Sequence, residues 1–108
     1  MILNNIDNFT MGWLVGNFNP SLIRSYDIEV GIKHLTKHTH IEKHYQKIST
    51  EYNYIATGSL FVNGQLLSQG DIFIYEPKEV TEITVLEDSI VVVIKTPSLG
   101  YNDKVVCE

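Results

Sequence analysis

The stretch His44-Tyr45-Gln46-Lys47-Ile48-Ser49-Thr50-Glu51-Tyr52-Asn53-Tyr54-Ile55-Ala56-Thr57-Gly58 decides the fold. Side chains alternate across an extended backbone, so His44 and Gln46 share one face. Four residues then separate Gln46 from Glu51, and six separate Glu51 from Gly58. The second segment is rich in tyrosine and β-branched residues, as strands are, and it stops at a glycine. Histidine is dense just upstream, with His34, His38, His40 and His44 inside eleven residues. A rival frame would use His38-Thr39-His40, but ten residues lie between His40 and Glu51, and such a gap places no partner. The His44 frame is the better one.

Working outward, period-two patterns and turn signals recur every eight to twelve residues, and helical periodicity is nearly absent. Ile28, Val30 and Ile32 alternate with Glu29, Gly31 and Lys33, which predicts a half-buried strand with His34 on the apolar face as a core or pocket histidine. Leu60-Phe61-Val62 and Gln65-Leu66-Leu67 flank Asn63-Gly64, a pair suited to a type I′ hairpin turn. Gly70-Asp71 leads into the strand Ile72–Tyr75, which Pro77 closes because it lacks the N–H a ladder needs. Val80–Leu86 and Ile90–Lys95 form the last hairpin. Ile90-Val91-Val92-Val93-Ile94 is apolar at every position, which predicts cover on both faces, from the barrel within and a second sheet or subunit outside. Trp13–Phe18 reads as a front strand with Trp13 in the core, Pro20–Arg24 as one helical turn, and Pro97–Glu108 as an extended tail over the barrel. His38 and His40 fall on an exposed loop. About eight strands with glycine turns make an all-β jelly-roll barrel, whose closure removes sheet edges.

The composition bounds the function. With 108 residues and 44% hydrophobic content the chain makes one domain, and a core of this size folds without covalent staples. Its formal charge of −5 argues against nucleic acid, since phosphate binding needs clustered Lys and Arg. The single cysteine, Cys107, excludes an internal disulfide. No signal-peptide pattern and no membrane-length apolar run is present, so the expected address is the cytoplasm and no membrane partner is expected. Isolated glycines form no phosphate loop, and no serine lies in a G-x-S-x-G elbow.

The segment His44-x-Gln46-x4-Glu51-x6-Gly58 resembles the first motif of the cupin superfamily, G-x5-H-x-H-x3,4-E-x6-G. Gly70-Asp71-Ile72-Phe73-Ile74-Tyr75-Glu76-Pro77 resembles its second motif. The opening Trp13–Ser21 and the late Lys95-Thr96-Pro97-Ser98 are similar to stretches of small single-domain cupins of largely unassigned function. The resemblance implies one cupin-like domain over 1–108, a double-stranded β-helix with its barrel core at about 27–97 and both terminal segments packed on it.

The departures from that pattern bear on chemistry. Twelve residues separate Gly31 from His44, Gln46 stands where the second histidine would be, and Glu82 falls in place of the last one. The implied metal ligands are therefore His44, Gln46, Glu51 and Glu82, one nitrogen and three oxygens, a set that favours Mn, Fe(II) or Mg over Zn. The alternative is a vacant site whose polar groups bond one another. The expected function is a small-molecule, carbohydrate-type binding or accessory protein with a weakened or vacant metal site. Its rival is an enzyme, either a metal-dependent oxygenase or lyase or a metal-free sugar isomerase using His44 and Glu51 for proton transfer. Tyr52 and Tyr54 alternate with Glu51 and point outward, which suggests a homodimer face or packing against the second sheet.

Overall fold

A computed structural model describes residues 1–107; Glu108, the end of the expected tail, lies outside the described residues. The strands are β1 (Trp13–Gly16), β2 (Ile23–Arg24), β3 (Glu29–Leu35), β4 (His40–Gln46), β5 (Thr50–Thr57), β6 (Ser59–Val62), β7 (Gln65–Ser68), β8 (Ile72–Tyr75), β9 (Thr81–Val85), β10 (Ser89–Thr96) and β11 (Lys104–Val106). They form a six-stranded sheet, β2-β1-β3-β10-β5-β8, and a five-stranded sheet, β11-β4-β9-β6-β7. Every pairing is antiparallel except β1 with β2. The inner faces meet over Ile55, Leu60, Val62, Ile83, Val85, Val91 and Val93. Burial of such side chains is the main favourable term for a small barrel.

The Asn63-Gly64 hairpin, β6 with β7, follows the sequence reading. Asn63 and Gly64 both have positive φ, 48° and 82°, as a type I′ turn requires. Gly58 is needed for two reasons. Its φ of +94° disfavours any residue with a Cβ, and a Cβ there would lie 2.7 Å from the Asp88 carbonyl oxygen. This glycine lets the chain turn from β5 straight into β6 beneath the β9–β10 turn.

Five expectations need correction. Val80–Leu86 and Ile90–Lys95 form no hairpin, because β9 pairs with β4 and β6 in one sheet while β10 pairs with β3 and β5 in the other, and the turn between them crosses from sheet to sheet. β3 is inverted: Glu29 and Gly31 are buried, Val30 and Ile32 are half-buried on the outer face, and His34 is exposed. The reason is a polar barrel interior at this end, where Glu29 meets Lys95 and Gly31 lies under the Trp13 indole. Residues 23–24 are a strand and not a helical turn; the 3-10 turns fall instead at Ile6–Asn8 and Gly100–Asp103. The tail is not merely draped over the barrel, because β11 pairs with β4. In β10, Val91 and Val93 are buried, while Ile90, Val92 and Ile94 are only half-buried. The second sheet covers their inner side alone.

Gly58→Ala should lower stability by about 3 kcal/mol, combining left-handed strain with overpacking. Gly64→Ala, whose Cβ would meet nothing within 4 Å, should cost about 1 kcal/mol from backbone strain alone. Urea unfolding of both variants measures the difference, and equal losses would show that close packing at Gly58 is unimportant.

Candidate functional site

Two cross-strand pairs face each other inside the barrel. His44 of β4 stands directly opposite Thr81 of β9, and Glu51 of β5 directly opposite Tyr75 of β8. Gln46 follows His44 on the same face, and all of these side chains except Glu51 are classed as buried. The ladder between β4 and β9 slips between Ile41 and His44, a bulge that aims His44 inward.

The imidazole is oriented by its own strand. Its Nδ1 lies 2.9 Å from the Glu42 carbonyl oxygen, which can only accept, so Nδ1 carries the proton and Nε2 keeps its lone pair. Glu51 accepts a 3.3 Å hydrogen bond from the Asn53 amide. Burial raises the Glu51 pKa above the ordinary carboxylate value, against the opposing pull of that bond and of Lys95 and His44. The Tyr75 phenol is raised as well, by burial and then by the Glu51 charge. Three polar atoms here are buried without a hydrogen-bond partner among the described residues: Gln46 Oε1, Tyr75 Oη and Thr81 Oγ1. The Tyr75 and Thr81 hydroxyls approach each other across the barrel without reaching good hydrogen-bond geometry. Each such orphan costs about 1–3 kcal/mol unless something completes it.

The expected ligand set is only partly assembled. His44, Gln46 and Glu51 come together, but Glu82 does not join them. It sits on the outer face, where its carboxylate lies 3.2 Å from His40 Nε2 and its N–H donates to Asn63 Oδ1. Alternation along β9 is the cause, since Thr81 takes the inward position and its neighbour must face out. His40 opens β4 in that ion pair, and His38 lies in the loop before it; both are exposed. Among the described residues no three His, Cys, Asp or Glu side chains are grouped to hold a metal ion. With Glu82 turned outward, one imidazole, one carboxylate and one amide oxygen remain of the expected set, joined by two hydroxyls, a poorer cage for a divalent cation than the four ligands expected. Sequence reasoning missed Tyr75 and Thr81. The period-two pattern of β8 and β9 placed them on some face, but the cross-barrel partner that brings them to His44 and Glu51 is not a local signal.

A second feature adjoins this cluster. Lys95 of β10 is the register neighbour of both Glu29 and Glu51, so the buried row runs Glu29, Lys95, Glu51, Tyr75. Lys95 and Glu29 also line a cavity of about 620 Å³ under residues 98–103, which does not extend to His44 or Gln46.

This architecture, two facing sheets with a polar interior on β4, β5, β8 and β9, is the cupin fold, a double-stranded β-helix. Among solved structures the chain is similar to an uncharacterised conserved protein with a double-stranded β-helix domain from Klebsiella pneumoniae, at 19% identity and a TM-score of 0.72, covering 98% of this chain and 91% of that one. It is similar to KdgF from Halomonas sp., at 21% identity and a TM-score of 0.67, over 70% of this chain and 74% of that one. It also resembles an RmlC-like cupin from Shewanella frigidimarina, at 16% identity and a TM-score of 0.64, over 69% and 70% of the two chains. No protein-family model matches the chain, and no curated protein matches it by sequence. Identities this low carry the fold and not the reaction.

Glu51 gives a pH test. A carboxyl whose folded pKa is raised binds more protons in the folded than in the unfolded state, so its ionisation erodes stability as pH climbs from the ordinary value of 4.5 through the raised one. Glu51→Gln should therefore be more stable than the parent at neutral pH, and the advantage should fade as pH falls toward 4.5. Denaturant unfolding across that range checks it; a constant difference would mean that the carboxyl ionises without penalty.

Proposed function

We propose that this protein binds a small, uncharged polar molecule inside the barrel, through His44, Gln46, Glu51, Tyr75 and Thr81, without needing a metal ion. The observation that carries the reading is the set of three orphaned polar atoms beside an imidazole with a free lone pair. A ligand bearing hydroxyl or carbonyl groups, such as a sugar, would offer donors to Gln46 Oε1 and acceptors to the two hydroxyls. It would thereby recover the cost of leaving them unpaired. A second reading, proton transfer at a bound carbonyl, is favoured by the pairing of His44 Nε2 as an acceptor with a carboxyl biased toward its acid form.

Tyr75→Phe separates a binding role from a packing role. Removing an unpartnered buried hydroxyl should stabilise the ligand-free protein by about 1 kcal/mol, while weakening the binding of aldoses and ketoses about tenfold. Calorimetric titration with such a sugar panel gives the affinity, and the same samples in D2O report exchange of the proton beside the carbonyl. Exchange abolished in His44→Gln would establish catalysis. About one equivalent of Mn or Fe retained by purified protein and lost in Gln46→Ala would overturn the metal-free reading.

We also propose that two copies associate through the outer face of the larger sheet. Register aligns Val30, Ile94, Tyr52 and Ile74 in one row and Ile32, Val92, Tyr54 and Ile72 in the next. Tyr52, Tyr54, Ile72 and Ile74 are all exposed, Ile72 at 65%. Two adjacent apolar rows exceed the scattered hydrophobics of a normal surface. Tyr52→Lys should convert a dimer to a monomer by light scattering, and an unchanged mass would rule this face out.

A further inference from the structure

We infer that the cavity beneath residues 98–103 is a second binding site, one that takes a small organic carboxylate with an apolar body and holds it by the Lys95 ammonium. It stands apart from the interior cluster and does not depend on the function proposed for it.

Lys95 is the anchor of this site. Only 5% of the residue is exposed, and an ammonium carries three donors that seek acceptors. Its nearest anion is Glu29 Oε2 at 3.9 Å, too far for a hydrogen bond. Among the described residues it donates no hydrogen bond, so a buried cation on the cavity wall has its donors free. Glu29 is held back by its other oxygen, since Oε1 accepts a 2.7 Å bond from the Gly100 N–H while Oε2 faces the ammonium.

Lys47 also lines the cavity, and a third ammonium stands close to Lys95. Lys33 Nζ lies 4.0 Å from the Trp13 ring centroid and Lys95 Nζ 5.0 Å from it, so two ammoniums gather at one indole. Lys33 is engaged, donating to the Met11 carbonyl at 2.6 Å. Burial and the nearby Lys95 charge push its pKa down to about 8. The carboxylates nearest in register to Lys95 are Glu29 and Glu51. The other carboxylate at the cavity, Asp103, keeps its charge but is held in place by hydrogen bonds from the N–H groups of Ile48 and Ser49.

Shape and lining complete the class of ligand. A volume near 620 Å³ suits a small organic molecule. Phe18, Ile48 and Leu99 supply apolar walls around the Trp13 edge. Ile48 and Tyr101 are exposed at the rim while Glu29 and Lys95 are buried at the floor, so the cavity is a cleft reached from solvent. A carboxylate reaching Lys95 would leave its apolar part against those walls.

Trp13 is the single tryptophan, so its fluorescence reports occupancy directly. Benzoate should change it saturably. Benzamide, the neutral analogue of the same shape, should bind about tenfold more weakly or worse, for want of a charge-assisted bond. Acetate, lacking the apolar body, should also bind more weakly than benzoate. Lys95→Met, which keeps the buried stem, should abolish the preference for benzoate over benzamide. Should that variant fail to fold with Glu29 unpaired, Glu29→Gln with Lys95→Met removes both charges and answers the same question. Equal affinity for benzoate and benzamide in the unmodified protein, or no saturable signal with benzoate, would overturn the site without recourse to any variant.

Discussion

A buried row of charges on three adjacent strands organises this barrel. Lys95, near the end of β10, lies between Glu29 on β3 and Glu51 on β5, and β10 is the strand that joins those two. Taking these groups out of water is expensive, and leaving one of them alone is worse than having none. Each must therefore face in together, and that fixes the register of three strands at once. It also decides what faces out. With Glu29 and Gly31 committed to the interior, Val30 and Ile32 are turned to the outer surface, where they extend a row begun by Ile94 and Val92. The apolar outer sheet is thus a consequence of the polar inner one.

The same row ties the tail to the barrel and sets the character of the interior. The Glu29 carboxylate accepts a hydrogen bond from the Gly100 N–H, and Asp103 accepts from the N–H groups of Ile48 and Ser49 just before β5. Between these two anchors the chain roofs the cleft. On the other side of Lys95, burial biases Glu51 toward its acid form and raises the Tyr75 phenol. Toward His44 the interior presents an amide and two hydroxyls beside the single carboxylate of Glu51. Gln46 and Thr81 each put a neutral oxygen next to His44, and neither oxygen has a partner.

Much of this was legible before the coordinates. The spacing from His44 to Gly58 located a strand, a turn and two inward polar residues, because alternation and a glycine stop are local physics. Asn63-Gly64 located its hairpin for the same reason. β3 was misread because the rule that apolar residues face the core assumes an apolar core, and here the facing partner is Lys95, sixty-odd residues along the chain. Glu82 was misread by one position, and one position in a strand reverses the face. Tyr75, Thr81 and the roofed cleft left no local trace. They exist only once β8, β9 and the segment after Pro97 have been folded over β4 and β5.

The pairing of β11 with β4 carries a consequence for the order in which this molecule can be built. As the chain leaves the ribosome, β4 emerges early, yet one of its two edges waits for Lys104–Val106, a strand made far later. Until then His44 and Gln46 sit on a bare sheet margin, open to water and to any other extended chain. The outer margin of the sheet that bears the imidazole is thus sealed only after Lys104–Val106 has followed. A nascent chain stalled before Lys104 would carry the principal polar residues of the site without the strand that closes it.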